Sequence, residues 1–179
     1  MREIEIKARV ADSQMLFQKI KTNGITLGPE LEQHDIVYGQ PGVKDNQENS
    51  IWLRVRIQNK TKIFFTLKKS VRGHLDSIEH ETVVEDSAET EAIIKLLGFE
   101  KHSDLTKIRR KAKVGNIELC VDMVNGLGEY IEAEMLVADD ADHNQVEQKL
   151  WTLLSDLGIS KNDEELRGYD VIERAQRGL

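Results

Sequence analysis

Glu3, Glu5, Lys7 and Arg9 stand at every second position of the first segment, and Arg54 with Arg56 repeats the habit further on. Glu79 with Glu81, Lys107 with Arg109, and Glu132 with Glu134 repeat it again. Spacing by two places such residues on one face of a strand. Guanidinium and ammonium groups set out this way can meet an oxyanion through several charge-assisted hydrogen bonds, and paired arginines suit the many oxygens of a phosphate chain. Carboxylates beside them would repel that anion unless a hard cation stood between. Mg²⁺ or Mn²⁺ accepts both carboxylate and phosphate oxygens and resolves the conflict. The signs are sorted by segment, with bases on 54–68 and 107–113 and acids on 3–5, 79–81, 122 and 132–134. If the sheet curls with this face inward, its lumen holds a basic wall and an acidic cluster, suited to a triphosphate with a divalent metal. The plainer alternative is a sheet with one face packed and one in water. Against it stand the excess of ionised groups over Thr, Ser and Gln on that face, and the sorting of signs.

The elements that must position these residues follow from the apolar partners. Ile4, Ile6, Ala8 and Val10 oppose the first charged set; Leu53, Val55 and Ile57 oppose the arginines. Period-two alternation predicts strands near 3–10, 34–38, 51–57, 62–68, 78–85, 107–113, 117–124 and 129–137. Asn59-Lys60, Gly73 and Gly115-Asn116 punctuate them as turns, so antiparallel hairpins follow. Three helices interrupt the pattern, at 12–23, 87–97 and 142–157. They start at acidic caps (Asp12 and Asp86 among them) and stop at Gly24, Gly98 and Gly158. Strand, Asp, helix, Gly then Ile or Phe thus recurs three times. Residues 39–50 are polar and turn-rich and predict a mobile surface loop.

Bulk composition narrows the function classes. The 179 residues fit one domain, 1–179, with a single sizeable core. Charged residues make up 32% and hydrophobic ones 39%, interleaved instead of blocked, which predicts a folded protein with an unusually charged surface or interior. A net charge of −7 argues against a general nucleic-acid binder. Cys120 is the sole cysteine, which excludes an internal disulfide and a multi-cysteine metal site. His34, His74, His80, His102 and His143 lack metal-ligand spacing. Lys111 and Lys113 read as solvated strand-end lysines, and Trp52 and Trp151 as packing groups, with Trp52 alternatively bordering a base or ring. No apolar stretch reaches membrane-spanning length and the first residues carry no signal region, so the expectation is a cytoplasmic protein.

Glu3-x-Glu5-x-Lys7 resembles the N-terminal signature of the CYTH superfamily, which contains class IV adenylyl cyclases, thiamine triphosphatases, inorganic triphosphatases and related RNA triphosphatases. Leu53-Arg54-Val55-Arg56 is similar to the family's paired arginines and Thr66-Leu67-Lys68 to its central lysine strand. Glu79-x-Glu81 and Lys107-x-Arg109 resemble the next acidic and basic strands. Asp122-x-x-x-Gly126-Leu127-Gly128-x-Tyr130-x-Glu132-x-Glu134 is close to the C-terminal motif. The matches keep the family's order and cover nearly the whole chain. The resemblance implies an α+β fold, an antiparallel β-barrel (a triphosphate tunnel) of about eight strands with flanking helices. It implies that Lys7, Arg54, Arg56, Lys68, Lys107 and Arg109 hold phosphates, with Lys7, Arg54, Lys68 and Arg109 also catalytic. It implies that Glu3, Glu5, Asp122, Glu132, Glu134 and Glu81 place Mg²⁺ or Mn²⁺. Two positions depart from the family: Ser77, where many members have a basic residue, and Gly168-Tyr169, where many have Ser-Tyr. The resemblance leans toward the class IV adenylyl cyclase branch, converting ATP to cyclic AMP and pyrophosphate. The alternatives are a triphosphatase acting on thiamine triphosphate, a nucleotide or inorganic triphosphate, and a non-catalytic polyphosphate or nucleotide sensor.

Overall fold

Alternation gives every strand here two unlike faces, and closure of the sheet decides which of them is inside. The computed structural model describes residues 1–44, 47–71 and 75–178. The turn expected at Gly73, His74, and residues 45 and 46 of the polar loop lie outside the described residues. The strands are β1 (Arg2–Arg9), β2 (Leu31–Gly39), β3 (Ile51–Gln58), β4 (Lys62–Ser70), β5 (Asp76–Val84), β6 (Glu100–Val114), β7 (Ile117–Val124) and β8 (Gly128–Val137). They pair antiparallel in the order β1-β5-β4-β3-β2-β6-β7-β8, and β8 returns to β1 to close a barrel. The eight strands and the barrel agree with the sequence. The strand β6 is longer than the alternation indicated, because its first half is held by backbone pairing to β2 and not by an apolar stripe.

The apolar face points outward. Ile4, Ile6 and Ala8 of β1 pack with Ile131 and Ala133 of β8 against Leu16 and Ile20 of α1 (Ser13–Thr22) and Leu150, Trp151 and Leu154 of α3 (His143–Asp156). Across the barrel, Ile36, Tyr38, Leu53 and Val55 pack against Ile94 of α2 (Ser87–Leu96). Each fully buried Leu or Ile contributes roughly 1.5–3 kcal/mol, so the core lies between barrel and helices and the inner face is left to the charges.

The recurring Asp–helix–Gly unit is a pair of caps. Asp12, Asp86 and Asp142 accept from backbone N–H groups of Met15, Glu89 and Asn144 at 3.0, 3.0 and 2.9 Å. Each such cap contributes about 1 kcal/mol. At the other end Gly24, Gly98 and Gly158 take positive φ, and the next residue's N–H reaches back into the last turn, as Ile25 does to Ile20 at 3.1 Å. A fourth helix, α4 (Tyr169–Gln176), was not expected; it opens at Gly168, which offers no capping side chain. Tyr169 and Ile172 of α4 pack with Leu105, Val124, Leu127 and Tyr130 at the end of the barrel marked by the β7–β8 turn. No helix among the described residues is long and apolar enough to cross a membrane.

Candidate active site in the barrel lumen

The lumen is a cavity of about 400 Å³ lined mostly by ionisable side chains. Its most rigid part is a pair of cross-strand clamps. Asp35 stands opposite Arg56 in the β2–β3 register, and its two oxygens take Nε and Nη2 of the guanidinium, each at 2.6 Å. Asp122 stands opposite Arg109 in the β6–β7 register, accepts from Arg109 Nε at 2.7 Å and again from Nη2, and accepts from Lys107 Nζ at 2.9 Å. Arg109 also donates to Glu132. Burial alone would raise the Asp35 and Asp122 carboxyls. Arg56 for one, and Arg109 with Lys107 for the other, outweigh it and hold both well below the usual carboxylate range.

A second set is held less tightly. Lys68 Nζ lies 2.8 Å from Glu79, which also accepts from Ser77 Oγ at 3.2 Å. Burial works against the Glu79 carboxylate, but Lys68 and Arg54 bring it down to about 2. Arg54 reaches Thr66 Oγ1 at 3.2 Å and Glu81 at 3.4 Å, and Thr66 Oγ1 donates to Glu81 at 2.8 Å. Lys7, almost fully buried, is 3.8 Å from Glu5 and 3.9 Å from Glu132.

The third set is acidic. Oxygens of Glu3, Glu5 and Glu134 lie within 4.8 Å of one another. Burial and then Glu132 push Glu5 up to about 7, and burial followed by Glu3 and Glu5 pushes Glu134 up to about 9. Glu3 is raised as well, by burial and Glu79. Carboxylates crowded together beyond what Lys7, 3.8 Å from Glu5, offsets, with oxygen donors only, suit a hard divalent cation such as Mg²⁺. The donor set fits the ion expected. Glu134 also stands near Glu118 and Cys120. That group is a poorer cage, because burial pushes the Cys120 thiol up and Lys111 takes Glu118.

Of the residues singled out in the sequence, Glu3, Glu5, Lys7, Arg54, Arg56, Lys68, Glu81, Lys107, Arg109, Glu132 and Glu134 all line the one cavity. Asp122 does not: in-register pairing gives it to Arg109 and Lys107, apart from the carboxylate trio. Glu132 and Glu81 line the wall but are likewise engaged, by Arg109 and by Arg54 with Thr66. The reading of Lys111 as solvated is corrected, since it is half-buried in the lumen wall against Glu118. Asp35, Glu79 and Tyr169 are lumen residues that the sequence reading left out of the site. Glu79 shares a strand face with Glu81, and that period was signal enough to include it.

A CYTH-domain family model matches residues 1–169. The chain belongs to the CYTH family. A Methanocaldococcus jannaschii protein named "Putative adenylate cyclase" is 30% identical to it over 175 residues, covering 94% of this chain and 97% of that one. Among solved structures, the PH1012 protein of Pyrococcus horikoshii superposes with a TM-score of 0.80 at 25% identity, over 94% of this chain and 97% of that one. A Hippeastrum protein described as showing a dominant triphosphatase activity shares the fold, with a TM-score of 0.63 at 16% identity over 98% and 95% of the two chains. In this CYTH protein the position of Ser77 has a clear use: its hydroxyl is a neutral donor to Glu79 where many members carry a base.

Proposed function

We propose that this CYTH protein is an enzyme that takes a triphosphate-bearing small molecule into the lumen together with Mg²⁺ or Mn²⁺, and that its leading activity converts ATP to cyclic AMP and pyrophosphate. One observation carries the reading. A trio of crowded carboxylates, Glu3, Glu5 and Glu134, shares a single cavity with Lys7, Arg54, Arg56, Lys68, Lys107 and Arg109.

Arg56 and Arg109, already fixed by Asp35 and Asp122, present their remaining N–H donors to phosphate oxygens without further ordering. Lys7, Arg54 and Lys68 release Glu5, Glu81 and Glu79 in exchange for phosphate. Donors set in place before reaction stabilise charge that develops on the phosphates more strongly than water does, because they need no reorganisation. A divalent ion held by Glu3, Glu5 and Glu134 would add Lewis-acid neutralisation of the same charge. For cyclisation, a ribose hydroxyl oxygen gives up its proton to water and bonds to the α-phosphorus, the bond from that phosphorus to the bridging oxygen breaks, and pyrophosphate leaves with the electron pair. The name of the Methanocaldococcus jannaschii relative favours this outcome.

Hydrolysis is the second reading. The same donors serve attack by water on the terminal phosphorus, and the activity described for the Hippeastrum protein of this fold supports it. Separate incubations of the full chain with Mg²⁺ or Mn²⁺ and ATP, thiamine triphosphate or inorganic triphosphate decide between them. Cyclic AMP with pyrophosphate is the expected result. Orthophosphate release alone selects the hydrolase, and binding without turnover of any substrate leaves a sensor and overturns the enzymatic reading.

A further inference from the structure

The strand β1 has two unlike edges. Along one it pairs with β8 from Arg2 to Arg9. Along the other its registered pairs with β5 are Glu3 with Ser77 and Ile4 with Asp76, and one further bond runs from the Glu5 N–H to the Leu75 carbonyl at 2.9 Å. An edge left bare carries unpaired N–H and C=O groups. The chain between α3 and α4 occupies the place beside β1 that β5 leaves. Ala8 forms an antiparallel bridge with Glu164, and the Glu165 N–H donates to the Lys7 carbonyl at 2.8 Å. Lys7, a lumen residue, is thus held at its backbone by a strap of residues 164–167.

One side chain fixes this strap. Glu165 is 7% exposed and is not among the residues that line the lumen. Its carboxylate accepts from Arg167 Nε and Nη2, each at 2.7 Å, from the Arg167 backbone N–H at 3.2 Å, and from Arg9 Nη2 at 3.3 Å. The hydrogen bonds from Arg167 bring the carboxyl down to about 2, so it stays ionised. Arg9 belongs to β1, so the strap is tied to that strand by backbone and by charge together. Lys7 has need of the tie. Its Nζ lies 3.8 Å from Glu5 and 3.9 Å from Glu132, longer than a hydrogen bond, and 4.5 Å from the centroid of the Tyr169 ring. Those contacts are compatible with several positions of the ammonium, whereas its backbone has one.

We propose that Glu165 is a positioning residue: by pinning the strap to β1 it holds the Lys7 ammonium where a phosphate oxygen of the substrate meets it. The inference rests on the triphosphate reading above and extends it to a residue outside the lumen. Charge alone makes the opposite forecast. An anion near the lumen repels a phosphate chain, so removing Glu165 would then tighten binding.

The test is calorimetric titration of inorganic tripolyphosphate, with Mg²⁺, into the full-length wild type, Glu165→Gln, Lys7→Met and the double variant. Glu165→Gln should weaken binding by about 3- to 30-fold, the range for coupling within one hydrogen-bonded network. In the Lys7→Met background it should cause no further loss, because the residue through which it acts is gone. Arg167→Gln removes the two shortest bonds to Glu165 from an exposed position, so it serves even if Glu165→Gln does not fold, and it should weaken binding in the same direction. Unchanged or tighter binding in either Glu165→Gln or Arg167→Gln, or a loss that persists in full beside Lys7→Met, overturns the positioning role while the triphosphate reading stands. A wild-type protein that binds no tripolyphosphate removes that reading and the positioning role with it.

Discussion

Asp35 and Asp122 are buried in this barrel and Glu5 and Glu134 are partly buried, yet the two pairs behave in opposite ways. The aspartates face arginines across in-register strands and are held below the ordinary carboxylate range. The glutamates face one another and are held above it, Glu5 at about 7 and Glu134 at about 9. Burial pushes all four in the same direction, so the partner on the neighbouring strand decides the outcome. One region is complete as it stands and serves to fix arginines. The other is complete only when a cation or protons join it.

The largest expected effect breaks the complete region. Asp122→Asn leaves the buried Lys107 ammonium without its hydrogen-bonded counter-charge and Arg109 with Glu132 alone, which should cost about 3–5 kcal/mol in denaturant unfolding. Asp35→Asn should behave alike, and an unchanged midpoint in both would show that the clamps are not structural. Next come Glu5→Gln and Arg54→Ala, each expected to lower turnover by about 10²–10³-fold while the circular dichroism spectrum stays native. Full activity in both variants would remove these residues from the site.

The incomplete region should respond with the opposite sign. Glu134→Gln removes a carboxylate that the metal-free fold tolerates poorly, so in chelator at pH 8 it should raise the melting temperature by about 2–8 °C while abolishing metal-dependent turnover. A smaller effect sharpens the same contrast. Glu134 and Glu5 have folded values above their unfolded ones, so the metal-free folded state binds more protons. Its stability should fall as pH rises from about 4.5 toward 9. Asp35, Asp122 and Glu79 are depressed, so their contribution is complete above about pH 5 and disappears as pH drops through their folded values. Chemical denaturation across pH, in chelator, should show both limbs. A flat alkaline limb would contradict the crowded trio.

Much of this contrast was written in short-range pattern. Alternation at Glu3-x-Glu5-x-Lys7 and Leu53-Arg54-Val55-Arg56 located the lumen face, and the outward apolar stripe located the core. The Asp122 clamp was also within reach. A two-residue turn at Gly115-Asn116 sets Val114 opposite Ile117, and five steps back along each strand sets Arg109 opposite Asp122. The Asp35–Arg56 clamp was not, because the long connection between β2 and β3 fixes no register. The helix α4 escaped for a local reason. It begins at a glycine in place of an Asp or Ser cap and spans eight residues, Tyr169–Gln176, so no start signal announces it. The first half of β6 escaped because Lys101, His102, Ser103 and Asp104 carry no apolar alternation, and only its pairing with β2 makes it a strand.

Manganese binding, followed by electron paramagnetic resonance with tripolyphosphate present, probes the carboxylate trio most directly. Wild type should hold Mn²⁺ in the presence of the anion, and Glu134→Gln should lose at least tenfold in affinity for the metal while its fold is retained. Equal Mn²⁺ affinity in the two proteins would mean that Glu3, Glu5 and Glu134 crowd together for some reason other than a cation.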